Sequence, residues 1–323
     1  MSICYTGTMP EKEIFQAFGE TMTKLIQEDP RVVYLDADLM GALKTQGLWD
    51  KFPQNVFNVG IQEANMVGMA CGMYLNGCIP YIHSFAPFAT RRVYDQLFVS
   101  GAYAKKSIRV IGSDAGIMAT HNGGTHMSFE DVALMRVIPG ACVVDITDST
   151  MMSAMLRLTK SYGGITYLRT PRRGVPDIYS CDERFELGRG KILREGNDVT
   201  LIACGIMVAT CLQAAEMMRK DGISARVIDI VTIKPLDEEL VLDSAKKTGC
   251  VVTAENANVE GGLGGAIAEC LAQKYPTPVV PVGIKDQFGC VGSESFLREK
   301  YGLTPENIVL SVKRAMKMKN GRS

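Results

Sequence analysis

The chain has 323 residues, with 35 Lys plus Arg balanced by 35 Asp plus Glu, so no net field recommends it to nucleic acid or to a membrane surface. Residues 1–12 lack the basic start and apolar block of a signal peptide, and no 18-residue apolar segment spans a membrane. The 10 cysteines are scattered without CxxC pairs or metal-ligand spacing, several in apolar runs, so a reducing cytoplasm is expected rather than a disulfide framework.

Glu11–Gln27 reads as an amphipathic helix, with Ile14, Phe18, Met22 and Leu25 at helical spacing, and Pro30 ends it. Arg31–Leu35 reads as the first buried strand, with Asp36-Ala37-Asp38-Leu39 at its carboxyl end. A short helix over Lys44–Lys51 and a strand over Asn55–Val59 lead through Gly60 into a long helical pattern that begins near Glu63. That pattern sets Met66, Val67, Ala70 and Met73 on one side, with Gly68 and Gly72 four apart for close packing. Strands at Ile79–His83, Ile108–Gly112, Cys142–Asp145 and Ile165–Leu168 alternate with helices at Thr90–Ala104, Ser128–Val137 and Ser149–Ser161. Such alternation with apolar strands predicts an α/β fold, a parallel sheet covered by helices on both faces. From Thr170 to Asn197 the pattern breaks into a proline- and arginine-rich linker. Beyond it come strands at Val199–Ala203, Ala225–Ile228, Cys250–Thr253 and Val279–Val282, with helices at Met207–Lys220, Glu238–Lys247 and Gly265–Lys274. A last helix, Pro305–Met316, is expected to end before a solvated basic tail of Lys317, Lys319 and Arg322. The division expected is a parallel-sheet domain over residues 1–185 and a smaller α/β domain over 186–323.

Ligand-binding groups in open parallel sheets gather at the carboxyl ends of the strands. Asp38, Glu63, Phe85 with Phe88, Asp114 and the Gly123-Gly124-Thr125-His126 loop all fall there. Glu63 is either a first-turn acid favoured by the helix dipole or an acid held against apolar surface, where desolvation favours its proton; spacing does not choose. Phe85 and Phe88 are core residues or a stacking wall for a flat heteroaromatic ring. His83, His121 and His126 lie near strand ends or loops, where imidazole can shuttle protons. No HxxxH pair occurs, so a protein-only zinc site is not expected. Leu168-Arg169-Thr170-Pro171-Arg172-Arg173 leaves a strand as a solvated basic linker or as a phosphate clamp. Glu260-Gly261-Gly262-Leu263-Gly264-Gly265 reads as a helix-entry turn, since the full GxGxxG spacing after a strand is missing.

The wording around Glu63, Gly-Ile-x-Glu-x-x-Met-x-Gly-x-Ala-x-Gly, closely resembles the pyrimidine-binding domain of transketolase. Asp36-Ala37-Asp38-Leu39, the Phe85/Phe88 segment, Gly-Gly-Thr-His and Ile138-Pro139-Gly140 extend the likeness, and the second half resembles the carboxyl-terminal transketolase domain. The resemblance implies thiamine diphosphate as cofactor, with Glu63, protonated or sharing a proton, against the aminopyrimidine ring. It places Asp38, Leu39, Phe85 and Phe88 beside that cofactor and makes His126 the second catalytic candidate. It turns Arg92, Asn122, His126, Arg169 and Arg172 toward the sugar substrate, with Arg169 the best match to a phosphate-binding arginine. The activity implied is transfer of a two-carbon ketol unit from a ketose, phosphorylated in the family, to an aldose.

The family binds the diphosphate and its metal through a Gly-Asp-Gly motif ending in asparagine, and no such segment occurs in this sequence. The expectation is therefore the carboxyl-terminal subunit of a split transketolase, working with an amino-terminal partner subunit that holds most of the diphosphate and its Mg2+ or Ca2+. Family behaviour implies two copies of each subunit, self-association through the pyrimidine-binding domain, and no metal ligand from this chain. Three positions depart from the pattern. No arginine precedes Arg31, where the family helps hold a substrate phosphate; Ser113 or Asp114 stands where transketolases often have histidine; Asn122 replaces an aspartate that meets a sugar hydroxyl. The sugars are thus left open. Rival readings are a deoxyxylulose-phosphate synthase-like or 2-oxoacid dehydrogenase β-like subunit, or a non-catalytic dinucleotide-binding module.

Overall fold

Six strands carry the first half: Val32–Asp36 (β1), Val56–Asn58 (β2), Ile79–Phe85 (β3), Ile108–Ser113 (β4), Cys142–Asp145 (β5) and Ile165–Thr170 (β6). Six more follow: Lys191–Arg194 (β7), Val199–Ala203 (β8), Ala225–Asp229 (β9), Thr232–Lys234 (β10), Val251–Asn258 (β11) and Val279–Ile284 (β12). They come from a computed structural model that describes residues 3–10 and 12–321. The seven-stranded sheet runs β10-β5-β6-β4-β3-β1-β2 and the five-stranded sheet β12-β11-β8-β9-β7. All ladders are parallel except β10 on β5 and β7 on β9. The fold is therefore α/β, a larger parallel sheet followed by a smaller one. Its strands β1, β4 and β6 are buried along their whole length, although Asp36, Arg109, Thr166 and Arg169 interrupt their apolar residues.

Helix Ile14–Glu28 packs Phe18, Met22 and Leu25 onto the sheet and is opened by a capping box, in which Gln16 Oε1 accepts the Glu13 N–H at 2.8 Å. Each such large apolar side chain contributes about 1.5–3 kcal/mol when buried. Glu11, the expected start of this helix, lies outside the described residues, as does Arg322. Lys317 and Lys319 form no loose tail. They belong to the helix Pro305–Asn320, and Lys319 Nζ donates to the Thr248 carbonyl at 2.8 Å. The continuous helix expected over Thr90–Ala104 is instead a short α-helix (Ala86–Ala89), a 3-10 turn (Arg91–Val93) and a π-helical run (Gln96–Tyr103). β10 leaves the second half to pair with β5, so the two halves share a sheet. Among the described residues no helix is long and apolar enough to cross a membrane.

Candidate active site at the strand ends

β1, β3 and β4 lie side by side, and the chain turns sharply where the first and last of them end. Asp38 (φ +62°) follows β1, Gly60 (φ +73°) follows β2 and Asp114 (φ +53°) follows β4. Left-handed backbone costs a non-glycine residue about 1–2 kcal/mol, so the two aspartates need local support. Asn58 supplies it for the first two turns: its Oδ1 accepts the Asp38 N–H at 3.2 Å and the Gly60 N–H at 3.0 Å, and its Nδ2 donates to Asp38 Oδ1 at 3.2 Å. Asp36 Oδ1 accepts the Leu39 N–H at 2.5 Å. Sequence reasoning missed Asn58 as a rim organiser. An Asx turn two residues before a glycine was the signal that would have found it.

Glu63 opens the helix Glu63–Leu75 and is only 3% exposed. Of the two readings that spacing left open it fits the first-turn position, but its surroundings are not apolar alone. The Ser84 hydroxyl donates to its Oε1 at 3.1 Å, and Arg92 Nη1 donates to its two oxygens at 2.8 and 2.9 Å. The same guanidinium lies 3.8 Å over the Phe88 ring centroid. His126 packs edge-on against both aromatics, its centroid 5.0 Å from Phe88 and 6.0 Å from Phe85, with the two phenyl rings 6.4 Å apart. Arg172 lies 5.5 Å over Phe85, donates from Nε to Asp114 Oδ1 at 2.7 Å, and donates from Nη1 to the Ala42 carbonyl at 3.2 Å. Burial pushes the Asp114 carboxyl above its ordinary value, with Arg172 pulling the other way. Glu63, Arg92, Phe88, His126, Phe85, Arg172 and Asp114 thus touch in sequence along one rim. Asp38 is exposed and Leu39 half-buried on the β1 side, while His121 and Asn122 are exposed in the loop before Gly123.

Arg169 corrects the strongest phosphate-arginine expectation. It is 1% exposed, and its Nε donates to Asp131 Oδ2 at 2.8 Å, its Nη1 to Asp145 Oδ2 at 3.1 Å and its Nη2 to the carbonyls of Asn256 (2.6 Å) and Ser128 (3.4 Å). Burial opposes its charge, yet Asp131 and Asp145 hold its pKa above the ordinary arginine value. No nitrogen is left to reach a sugar phosphate. His83 is buried too. Its Nδ1 lies 2.7 Å from Asp36 Oδ2 and its Nε2 2.9 Å from Ser113 Oγ, and Tyr34 OH donates to the same Asp36 oxygen at 2.6 Å. That network ties the β1 turn to the end of β4 beneath the rim.

The second half supports the loop that carries His126. A Cβ on Gly124 would come within 2.5 Å of the Gly289 carbonyl oxygen, and one on Gly123 within 2.8 Å of Val291, so only glycine lets the two loops meet. Asn256 Oδ1 accepts the Ile117 N–H at 3.0 Å, and its Nδ2 donates to the Ala115 carbonyl at 3.1 Å. The glycine-rich turn is filled from within: Glu255 accepts the N–H groups of Leu263 and Gly264, each at 2.7 Å, and burial pushes its carboxyl up to about 8. Those are the donors a dinucleotide pyrophosphate would require, so the turn serves as a helix entry. Among the described residues no three His, Cys, Asp or Glu side chains converge to hold a metal ion.

A deeply buried carboxylate at the edge of an aromatic face suits a flat aminopyrimidine, whose ring nitrogen meets the acid while its face stacks. The fold and rim together make a site suited to a flat heteroaromatic ring. Residues 11–177 match the transketolase pyrimidine binding domain and residues 188–308 the transketolase C-terminal domain. The chain is 46% identical over 314 residues to 6-deoxy-6-sulfo-D-fructose transketolase subunit SqwH of Clostridium sp. (strain MSTE9), covering 97% of this chain and 98% of that one. It is 38% identical to a putative transketolase C-terminal section of Methanocaldococcus jannaschii, over 95% of this chain and 97% of that one. A solved split-gene transketolase, an inactive beta4 tetramer, superposes with a TM-score of 0.87 at 42% identity, covering 95% of this chain and 99% of that one. The chain belongs to the transketolase family, as a subunit of the split form, whose reaction is transfer of a two-carbon ketol unit through thiamine diphosphate.

Proposed function

We propose that this chain grips the aminopyrimidine ring in a two-chain transketolase and presents to it a ketose whose far end carries a single negative charge. The observation that carries the first part is Glu63, a buried carboxylate that the Arg92 guanidinium links to the face of Phe88. When bound, thiamine diphosphate supplies the nucleophilic carbon and electron sink that carbon–carbon cleavage needs. Glu63 holds a proton against the ring nitrogen, Phe85 and Phe88 orient the ring, and Asp38 and Leu39 border it. His126, edge-on to both rings, moves a proton on the substrate side, with Asn122 beside it. Arg172 takes the substrate's anionic end.

The charge at that end is low. Arg169 is consumed by buried carboxylates, no arginine precedes Arg31, and Arg172 is already paired with Asp114. A phosphate monoester brings about −1.5 to −2 charges near neutral pH, against one for a sulfonate. A sulfonated ketose, of the kind named for the SqwH relative, suits this rim better.

An amino-terminal subunit holding the diphosphate and its Mg2+ or Ca2+ completes the enzyme in this proposal. Self-association uses the face of helix Glu63–Leu75 and its neighbour. Leu75, Phe98, Val99 and Tyr103 are exposed there, and a Cβ on Gly68 or Gly72 would meet nothing within 4 Å, which leaves room for another backbone. The 10 free cysteines support a reducing cytoplasm. The test is Glu63→Gln in the assembled enzyme. Turnover should fall at least about a hundredfold, the usual scale for lost acid–base assistance. Near-normal turnover removes Glu63 from the reaction.

A further inference from the structure

Arg92 makes both contacts that the proposed reading assigns to the cofactor's ring. Its Nη1 donates to the two oxygens of Glu63 at 2.8 and 2.9 Å, and its guanidinium carbon lies 3.8 Å over the centroid of Phe88. A guanidinium is flat, donates from its edge and stacks on aromatic faces, so it shares those properties with an aminopyrimidine. Two flat groups cannot hold the same carboxylate edge and the same ring face together. They also make opposite demands of Glu63: the guanidinium favours the ionised carboxylate, whereas a ring nitrogen needs the acid to carry a proton.

We infer that Arg92 is a placeholder for the pyrimidine ring: in the free chain its guanidinium fills the place between Glu63 and Phe88, and it gives up both contacts when the ring enters. The inference rests on the reading of Glu63 and Phe88 as the ring site. The exchange is cheap on the arginine's side. Its side chain is 43% exposed and sits on the 3-10 turn Arg91–Val93, so the guanidinium can move into water and be solvated there. On the side of Glu63 it matters more. That carboxylate is 3% exposed, and with Arg92 gone its remaining side-chain partner is the Ser84 hydroxyl at 3.1 Å. A buried carboxylate that loses its cation needs a new hydrogen-bond partner, and the edge of the ring supplies one. Departure of Arg92 and entry of the ring are therefore coupled, because both groups use the same carboxylate edge and the same ring face. Until then the guanidinium keeps this buried acid paired.

The experiment titrates 4-aminopyrimidine into the full chain by calorimetry and by ligand-observed NMR, comparing wild type, Arg92→Ala and the double variant Arg92→Ala/Phe88→Ala. The expected result is about tenfold tighter binding to Arg92→Ala than to wild type, since the competitor is gone, and loss of that gain in the double variant. Weaker binding to Arg92→Ala than to wild type makes Arg92 a ligand of the ring and overturns the inference. Equal binding to wild type and Arg92→Ala, abolished in the double variant, leaves the ring site standing and overturns the placeholder alone. No binding to any of the three overturns the placeholder and the ring reading together. Should Arg92→Ala not fold, Arg92→Lys keeps the charge without the flat group. It too must bind more tightly than wild type, and no gain there overturns the inference.

Discussion

At the scale of single residues, the rim is decided by which cations remain available. Ser113 or Asp114 was expected where transketolases often carry histidine, and it is Asp114 that engages Arg172, at 2.7 Å. Replacing it by histidine removes one negative charge from the anionic end, and histidine is among the residues that tolerate left-handed backbone such as the φ of +53° found here. In the assembled enzyme, Asp114→His is expected to raise kcat/KM for a phosphorylated ketose relative to a sulfonated one by about tenfold, the scale of one charge-assisted hydrogen bond. An unchanged ratio would show that Asp114 does not set the charge preference. The strand-end placement of Glu63, Phe85, Phe88 and His126 was legible in the sequence, because a parallel sheet delivers side chains to its carboxyl edge. Arg169 was not. An arginine after an apolar strand reads the same whether it faces a ligand or a pair of buried aspartates, and Asp131 and Asp145 become its neighbours only through tertiary structure.

At the scale of elements, periodicity located the long strands and helices, since burial on both faces leaves an apolar run and burial on one face a 3.6-residue stripe. It failed where an element is short or breaks its own rule. β7 and β10, of four and three residues, are too brief to show a pattern, and helix Glu294–Tyr301 buries only Leu297 and Tyr301. The stretch after Phe85 passes through three helical forms because Thr90 leaves helical geometry at φ −126°, ψ −81°. That break sets Arg92 on a turn beside Glu63. β10 also follows a charged hinge. Just before it, at the end of β9, Asp229 accepts from Thr147 Oγ1 at 2.7 Å, Tyr179 OH at 2.8 Å and the Val231 N–H at 3.0 Å, joining strand ends from both halves. Burial pushes Asp229 from 3.8 up to about 6. Its raised value means that the folded chain holds this proton more tightly than the unfolded one. That stabilisation is complete below about pH 3.8 and is lost as the pH rises through about 6. Asp229→Asn keeps groups that both hydroxyls can meet and cannot ionise. Between pH 4.5 and 7.5 the variant should therefore lose about 2 kcal/mol less unfolding free energy than wild type. Parallel pH profiles in denaturant unfolding would mean that Asp229 does not ionise in the folded chain over this range.

At the scale of the whole molecule, the two halves are joined through charge as well as through a shared sheet. Arg169 leaves β6, pairs with Asp131 and Asp145 of its own half and donates at 2.6 Å to the Asn256 carbonyl of the other. Asn256 in turn fixes the loop at Ala115–Ile117, and the Gly289 region of the second half closes over Gly124, so the His126 loop is framed by that junction. Removing a buried cation from between two carboxylates typically costs about 3–5 kcal/mol, because the carboxylates stay buried without compensation. Arg169→Met, which keeps the apolar volume and deletes the charge, should lower the unfolding free energy of the full chain, read from denaturant unfolding, by that amount at neutral pH. The loss should shrink in mild acid, where Asp145, already pushed up by burial, can take a proton in place of its partner. A substrate-phosphate arginine would behave in the opposite way. Its loss would spare stability at every pH and appear only as a higher KM for the phosphorylated sugar, so unfolding curves at two pH values, set beside KM, assign Arg169 to the junction or to the site.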